Sequence, residues 1–427
     1  VTIDGFSPKN FNKRFSGVVH ADEALSRSIN VSALLMLREY GLAPFYHILK
    51  KVGITTLDKN FSHYGLSLIL GGAEVTPWDI AGVYSSMARI LKTHNETGWF
   101  GDTDYSFLPP SYLPERKLKK SYSPHARPIF NPAAIWLTFE AMKNVERPES
   151  EGHWKYFSSS GKVAWKTGTS FGFRDAWSVG TTPKYTVVVW VGNADGEGRP
   201  ELIGTRAAAP IMFEIFDVLP RENKWFEKPE GEMVEIEVCS ISGYRATERC
   251  EKKERVYVMA QGIKTKPCPF HTLIHLDQKG EYRVHGGCES PYKMKPVNWF
   301  ILPPIEEWHY RLNNLTYQPP PQYRKDCLAS LPENKKGMDL LSPHENAKIY
   351  VPIELNETKG KVIFEAVHRV RQKTIYWHID NEYIGSTKDF HQIAVSPSFG
   401  NHSLTIVDED GLSIKRKFTI LGKLHHQ

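Results

Sequence analysis

The first half of the chain alternates between segments of helical periodicity and short apolar runs. Apolar side chains recur at near-helical spacing over 21–40, which predicts a helix that Gly41 terminates. The tetrapeptide TPWD at 76–79 predicts another helix start, since threonine caps, proline fits the first helical position and the aspartate completes a capping box. The dipeptide NP at 131–132 predicts a third start on the same grounds.

Strand-like runs follow at 162–167, 176–180 and 185–192. The last run, YTVVVWVG, is apolar on both faces, which suits a strand in a sheet that helices cover on both sides. Residues 206–219 then predict a final helix packed on that sheet, and Pro220 fits its end. The pattern therefore predicts a domain of mixed helices and strands in the first half.

The pattern changes after about residue 222. Residues 223–335 are rich in proline, cysteine and charged side chains, so long helices are not expected there. Residues 338–424 contain strand-like runs separated by turn signals, a pattern typical of a small β-sandwich. The runs lie at 361–367, 373–379, 402–407 and 415–420, and the turns at 380–381 and 408–411.

Composition restricts the classes of function without choosing one. Of the 427 residues, 41% are hydrophobic and 24% are charged, as in ordinary globular domains. The formal net charge of +6 comes without a dense Lys/Arg run, which argues against nucleic acid as a partner. A mild positive charge also suits a protein that works beside an anionic cell wall or membrane. No apolar run approaches the roughly 18 residues that a membrane span needs.

The segment 166–169 (KTGT) carries the most informative chemistry. Acyl transfer from a peptide with a terminal carboxylate needs a cation and hydroxyl groups nearby, which Lys166, Thr167 and Thr169 can supply. Gly168 leaves room for a substrate backbone to approach the strand edge, and the N–H of Thr169 can face a developing oxyanion. Alone, such a tetrapeptide is also typical of a turn that enters a strand.

Ser28 and Asn30 form a Ser-x-Asn triplet upstream of this segment. The triplet by itself is typical of an ordinary helix or loop. In this order, however, the two motifs match two of the three that penicillin-recognising enzymes share, the third being a Ser-x-x-Lys that carries the nucleophile. In these roles Ser28 would relay protons between the catalytic lysine and the leaving amine, and Asn30 would hydrogen-bond the amide on the acyl side of the substrate.

Longer segments make the resemblance specific. The second-motif stretch EALSRSINVSALLML, the helix start LSLILGGAEVTPWDIAGVYSSMA and the third-motif stretch AWKTGTSFGFRDAWSVG resemble class A penicillin-binding proteins. The phrase KTGTSFGFRDAW is most similar to the 1C-type subgroup. The segments IHLDQKGEYRV and NWFILPPIEEWHYR resemble that subgroup's cysteine-containing linker, so the resemblance covers nearly the whole chain.

The resemblance implies a fold, a domain order and an activity. It implies an α/β (α+β) transpeptidase fold over 1–222, N-terminally truncated, with a mainly antiparallel sheet flanked by helices. A Cys/Pro-rich linker at 223–337 and an immunoglobulin-like sandwich at 338–427 would follow. The implied activity is D-Ala-D-Ala transpeptidation of peptidoglycan, with stem peptides and β-lactams as ligands and with no cofactor and no metal.

The resemblance also implies a cellular setting. The intact protein would work at the periplasmic face of the bacterial inner membrane, with a glycosyltransferase domain and a membrane anchor upstream of this chain. Periplasmic cell-wall proteins are further candidate partners.

The nucleophile is where the sequence departs from the family pattern. The family's Ser-x-x-Lys precedes the second motif, yet 1–27 contain none, so we expect the nucleophile upstream of Val1 and expect this chain alone to be inactive. Ser159 and Ser290 each begin a Ser-x-x-Lys match, but both follow Ser28 in the chain. We interpret both as chance matches.

The five cysteines are confined to 239–327, which suggests one small stapled region with disulfides in an oxidising compartment. Cys268 and His271, in the run CPFH, raise zinc as an alternative, but no Cys-x-x-Cys pair is present. Unpaired thiols and zinc therefore stay open beside disulfides, and the odd count leaves at least one thiol unpaired. The cysteines are Cys239, Cys250, Cys268, Cys288 and Cys327.

Two other functions also stay open. The Cys-rich and β-rich regions would serve as a non-catalytic module if they bind wall glycan or a periplasmic partner. A serine β-lactamase shares the motif set, although the long C-terminal extension argues against that class.

Overall fold

The structure, a computed structural model, describes residues 8, 10–11, 15–97, 106–112, 129–146, 161–220, 224–330, 337–351, 361–370 and 372–421. The chain divides into two compact units. The first unit is formed by His20–Glu237 with Arg255–Thr265. The second unit is formed by Val1–Val19, Val238–Glu254 and Lys266–Gln427.

The first unit combines helices with a three-stranded antiparallel sheet of order β1-β2-β3. Its helices are α1 (Ala21–Ser26), α2 (Asn30–Tyr40), α3 (Leu42–Lys51), α4 (Phe61–Tyr64), α5 (Pro77–Thr97), α6 (Pro132–Lys143) and α7 (Ala209–Val218). Its strands are β1 (Ala164–Thr169), β2 (Asp175–Thr181) and β3 (Thr186–Gly192). The three predicted strand-like runs and the final helix are therefore confirmed, and one π-helical turn at Gly204–Ala208 precedes α7.

Helices cover both faces of this sheet, as the apolar character of β3 predicts. On one face, Ala164 of β1 belongs to a core cluster with Ile90 and Leu91 of α5 and Phe139 of α6. On the other face, Trp165 of β1 packs with residues of α7 in a second cluster. Successive strand residues point to opposite faces, so β1 contributes to two cores at once.

The helix starts predicted from capping patterns are confirmed. The Thr76 hydroxyl accepts from the N–H of Asp79 (3.0 Å) at the start of α5, and the Asn131 side chain accepts from the N–H of Ala133 (2.7 Å) at the start of α6. The predicted capping box is only half formed, because the carboxylate of Asp79 accepts from the N–H (2.9 Å) and the hydroxyl (2.7 Å) of Thr55, which fixes the preceding loop on the helix.

The prediction of a single helix over 21–40 was wrong in one respect, because the segment forms two helices, α1 and α2. Ser28 lies in the break with φ at 53°, a left-handed conformation that few non-glycine residues adopt. Its N–H donates to the carbonyl of Leu25 (3.1 Å), closing the end of α1. The predicted end at Gly41 is confirmed, since that glycine caps α2 with φ at 101°.

Two-stranded and three-stranded sheets follow in the region where long helices were not expected. Within the described part of 223–335, one α-helix is present, and it is short. The strands are β4 (Met233–Cys239) paired with β5 (Lys253–Met259), and β7 (Arg283–Val284), β6 (His271–Leu276) and β8 (Lys295–Phe300) in the order β7-β6-β8. The helix is α8 (Pro304–Asn313).

The end of the second unit is a β-sandwich, as predicted. A five-stranded sheet of order β10-β16-β15-β12-β13 and a three-stranded sheet of order β14-β11-β9 share one apolar core. Asp380 and Asn381, with φ at 50° and 75°, form the predicted hairpin turn between β12 and β13. The strands are β9 (Met338–Ser342), β10 (Ala347–Tyr350), β11 (Val362–His368), β12 (Ile375–Ile379), β13 (Glu382–Thr387), β14 (Gln392–Val395), β15 (Gly400–Asp408) and β16 (Ser413–Leu421).

Neighbouring aromatic residues of β12 give a matched test of the sandwich core. Trp377 is fully buried and its indole N–H donates to the Thr387 hydroxyl (2.8 Å), whereas Tyr376 is 38% exposed. We expect Trp377→Ala to lower the free energy of unfolding of the sandwich by about 3–5 kcal/mol and Tyr376→Ala by less than about 1 kcal/mol. Urea unfolding followed by methyl NMR of the sandwich measures both, and equal losses would contradict the assigned core.

Candidate functional site

The segment 166–169 forms the last four residues of β1, which is the outer strand of its sheet within the part of the chain that the structure describes. Side chains alternate along a strand, so the four residues of the segment 166–169 are divided between the two faces of the sheet. Lys166 and Gly168 lie on the face of Ala164, and Thr167 and Thr169 lie on the face of Trp165. An outer strand leaves one row of backbone groups available to pair with an extended ligand.

The structure brings Lys166 together with Ser28, which lies 138 residues earlier in the chain. The Lys166 ammonium donates a hydrogen bond to the Ser28 hydroxyl and another to the carbonyl oxygen of Thr167 (3.0 Å). Burial lowers the pKa of Lys166 from its usual 10.5 to about 8, because desolvation disfavours the charged form. A lysine with such a pKa can both hold a positive charge and exchange a proton near neutral pH.

The break between α1 and α2 presents Ser28 to this lysine. Ser28 is exposed, and its left-handed backbone turns the chain so that α2 begins at Asn30. Strained backbone conformations of this kind concentrate at functional sites. The Ser-x-Asn triplet therefore occupies a helix junction whose serine side chain contacts β1.

The outer edge of β1 carries the backbone donor expected from the sequence. The N–H of Ser170 donates to the carbonyl of Asp175 (3.0 Å) across the β1–β2 turn. In an antiparallel ladder, residue pairs that are hydrogen-bonded to each other alternate with pairs that are not. Because Ser170 belongs to a hydrogen-bonded pair, the N–H of Thr169, one residue earlier, points away from β2. That direction is the open edge of the sheet.

A glycine that the sequence analysis did not single out supports the other face of β1. The N–H of Gly204 donates to the Thr169 hydroxyl (3.0 Å), which retains its own hydrogen to donate. A Cβ on Gly204 would lie 2.6 Å from the carbonyl oxygens of Gly168 and Trp177, so only glycine fits there without moving backbone. No local signal marks this position, because the contact joins segments 35 residues apart.

The remaining sequence-predicted site residues are placed as follows. Gly168 lies between Thr167 and Thr169 on β1, and a Cβ there would meet the Trp177 side chain at an ordinary 3.4 Å. Ser159 lies outside the described residues. Ser290 lies in the second unit, directly before a short 3₁₀ helix at Pro291–Lys293. Among the described residues, Ser28 is thus the serine in hydrogen-bond contact with Lys166.

The shifted titration of Lys166 is directly measurable. We expect its amine to titrate with a midpoint near 8 in NMR of the reductively ¹³C-methylated protein, with the resonance assigned by its loss in Lys166→Arg. The folded state then binds fewer protons than the unfolded state between pH 8 and 10.5, so this group makes the free energy of unfolding rise with pH across that window. A midpoint above about 10 would mean that Lys166 is fully solvated.

Across the described residues, no helix is both long enough and apolar enough to span a lipid bilayer.

Comparisons with known proteins match both parts of the chain. Residues 327–418 match the Penicillin-Binding Protein C-terminus Family. Penicillin-binding protein 1C of Escherichia coli is 31% identical over 214 residues, which cover 50% of this chain and 25% of that protein. Penicillin-binding protein 1A of Aquifex aeolicus is 28% identical over 256 residues, which cover 59% of this chain and 33% of that protein.

Among solved structures, penicillin-binding protein 1A from Haemophilus influenzae aligns at 18% identity with a TM-score of 0.45, over 63% of this chain and 44% of that one. The chain spans about a quarter to a third of the length of the two curated relatives named above.

Proposed function

Because this chain belongs to the class A penicillin-binding proteins and corresponds to a C-terminal region of them, we propose that its first unit forms part of a serine D-Ala-D-Ala transpeptidase site. The observation that carries the proposal is the hydrogen bond from Lys166 to Ser28 at the open edge of β1. This contact unites the second and third motifs of penicillin-recognising enzymes at one place.

The proposed reaction begins with a serine from a Ser-x-x-Lys segment N-terminal to the residues of this chain. Its hydroxyl oxygen attacks the carbonyl of the penultimate D-alanine of a stem peptide. An ester bond forms, the peptide bond breaks, and the leaving D-alanine amine takes up the proton, which Ser28 and Lys166 relay. An amine of a neighbouring stem peptide then attacks the ester, forming the cross-link and returning a proton to the serine.

Each residue of the site has a defined task in this scheme. Lys166, Thr167 and Thr169 bind the terminal carboxylate of the substrate, and the outward N–H of Thr169 donates to the oxyanion. Asn30 hydrogen-bonds the amide on the acyl side, and Gly168 lets the substrate backbone lie against β1. A β-lactam enters the same site and acylates the same serine, but its opened ring stays attached. The scheme uses side chains and one backbone N–H of the protein and needs no cofactor.

The wider organisation is proposed from the family. The transpeptidase domain would occupy 1–222, the Cys/Pro-rich linker 223–337 and the immunoglobulin-like domain 338–427. A glycosyltransferase domain and a membrane anchor would precede them, which would place the site at the periplasmic face of the inner membrane.

Covalent labelling with a fluorescent penicillin tests the proposed function. We expect the 427-residue chain to remain unlabelled and a protein extended upstream through its Ser-x-x-Lys to label at that serine. Peptide mapping identifies the labelled residue. Labelling of this chain at Ser159 would contradict the proposal, and rapid hydrolytic turnover of the β-lactam by the extended protein would favour a β-lactamase instead.

A cleft in the second unit favours a second candidate function, the binding of wall glycan or a periplasmic partner. The cleft has a volume of about 1060 Å³ and one wall of it is formed by 319–321 and Tyr323. The guanidinium of Arg283 lies 4.1 Å from the Tyr323 ring centre, which gives this wall an aromatic surface with a cation on it. Sedimentation of the chain with purified sacculi tests this function, and Tyr323→Ala should release the chain from them. Equal sedimentation of the wild-type chain and the Tyr323→Ala variant would argue that the cleft is not the binding site.

A further inference from the structure

Three thiols and one imidazole converge in the second unit, outside the proposed transpeptidase site. Cys239, Cys250, Cys268 and His271 are all buried, and their sulfur and nitrogen atoms all lie within 4.8 Å of one another. None of the three cysteines forms a disulfide. The run CPFH raises zinc from the sequence alone, but Cys239, Cys250 and Cys268 are widely and unevenly spaced, so the sequence does not show that all four residues converge.

The distances within the cluster are those of ligands around one ion. The Nδ1 atom of His271 lies 3.6 Å from the sulfur of Cys239 and 3.5 Å from the sulfur of Cys268. Zinc bonds of about 2.3 Å to sulfur and about 2.0–2.1 Å to nitrogen, at tetrahedral angles, separate such ligands by about 3.5 Å. The observed spacings therefore leave room for a zinc ion at bonding distance from both atoms.

Backbone hydrogen bonds hold the segments that carry the ligands. Residue 239 ends β4 and closes a tight loop, in which its N–H donates to the carbonyl of Tyr244 (2.8 Å) and its carbonyl accepts from the N–H of Gly243 (2.8 Å). The N–H of Cys268 donates to the carbonyl of Arg245 (2.9 Å), which joins the third ligand to the same loop. The cluster is thus positioned by the main chain, as in a preformed site.

Polar groups around the sulfurs suit thiolates. The N–H and the hydroxyl of Thr247 both lie 3.4 Å from the sulfur of Cys250, and the Ser242 hydroxyl lies 3.2 Å from the sulfur of Cys268. Hydrogen bonds of this kind orient metal ligands and stabilise their negative charge.

The apolar core of this region is thin. The buried residues of its core cluster are the three cysteines themselves, with partly buried side chains around them. A region that buries so little apolar surface needs a further source of stability, and a structural metal ion supplies one.

We propose that Cys239, Cys250, Cys268 and His271 bind a structural zinc ion through three thiolates and the Nδ1 atom of the imidazole. Three sulfurs and one imidazole nitrogen in a closed, buried tetrahedron are the donor set of structural zinc sites. All four positions are filled by side chains, so the site has no open position for a substrate.

The fourth and fifth cysteines provide an internal control. His285, Cys288 and Cys327 also lie close together, but Cys288 and Cys327 are joined in a disulfide and have no thiolate to offer. The single region expected from the sequence thus contains one disulfide and one set of free thiols. For the three free thiols the structure favours zinc, whereas the spacing of the cysteines along the sequence did not favour it.

Metal analysis of the purified chain tests the proposal. We expect about one zinc ion per chain in the wild type and less than about a tenth of that in Cys250→Ser and His271→Ala. His271→Cys should retain zinc, because a fourth thiolate preserves the donor set, and Cys288→Ser with Cys327→Ser should retain it because those residues lie outside the site. Replacement by Co²⁺ should give the visible bands of tetrahedral cobalt with thiolate ligands.

The oxidation state of the three thiols distinguishes a zinc site from the alternative, a disulfide among these cysteines. Alkylation after denaturation in chelator should modify three cysteines per chain, namely Cys239, Cys250 and Cys268. A disulfide between any two of them in the purified protein, or three free thiols with neither zinc nor cobalt bound, would overturn the proposal. The cobalt spectrum and the thiol count both use the wild-type chain, so the decision stands even if a variant fails to fold.

Discussion

Replacing Lys166 with alanine should slow acylation by benzylpenicillin at least about 100-fold in the protein extended upstream through its nucleophile. The ammonium of Lys166 contacts the Ser28 hydroxyl and lies on the strand proposed to bind the β-lactam carboxylate. Its loss removes both a cation and a step in proton transfer. Stopped-flow measurement of the second-order acylation rate constant gives the effect.

Two matched variants separate these roles from a general effect of charge. Lys166→Arg keeps the cation but cannot release a proton near neutral pH, so it should restore β-lactam binding without restoring the rate of acylation. Lys184→Ala removes an exposed lysine in the turn between β2 and β3, and should leave the rate unchanged. A full rate in Lys166→Arg would reduce the role of Lys166 to electrostatic attraction.

Gly204→Ala should damage both stability and acylation. The new Cβ would lie 2.6 Å from two backbone oxygens, those of Gly168 and Trp177, so β1 and β2 must move. We expect the free energy of unfolding to fall by about 1–3 kcal/mol, as for other overpacked sites. Acylation should fall as well, because the shift displaces the edge that carries Thr169. Urea unfolding and the acylation rate constant measure the two effects.

The same substitution at Gly168 should separate stability from function. A Cβ there meets Trp177 at 3.4 Å, an ordinary contact, so we expect Gly168→Ala to change the free energy of unfolding by less than about 1 kcal/mol. The added methyl group would still obstruct a ligand lying along β1, so acylation should slow at least about 10-fold. Gly161→Ala, with nothing within 4 Å of the new Cβ, is the control. A Gly168→Ala protein with an unchanged rate would argue that no ligand lies along this strand.

Local signals predicted the parts of the fold that local interactions determine. Thr76 and Asn131 cap helices as their neighbours along the chain indicate, and Asp380 with Asn381 forms the expected hairpin turn. The run YTVVVWVG, which is apolar on both faces, also predicted a sheet that helices cover on both sides. Each of these features depends on a few consecutive residues, whose chemistry can be read directly from the sequence.

Features that depend on distant contacts were not predictable in the same way. The left-handed conformation of Ser28 interrupts a helix although the apolar spacing continues through it. The role of Gly204 depends on the strand that it packs against, and the zinc ligands meet only when β4 and the chain before β6 fold together. For the site itself, the order of the motifs assigned Ser28 and Lys166 to one set, and in the structure their side chains are in hydrogen-bond contact.

The crystal structure of the extended protein acylated by benzylpenicillin tests the central claim most directly. The claim predicts the opened β-lactam along the outer edge of β1, with its carboxylate at Lys166 and the hydroxyl groups of Thr167 and Thr169, and with the carbonyl oxygen of the acyl ester accepting from the N–H of Thr169. A covalent adduct whose carboxylate lies away from β1, with Lys166 hydrogen-bonded only to Ser28 and Thr167, would contradict this claim.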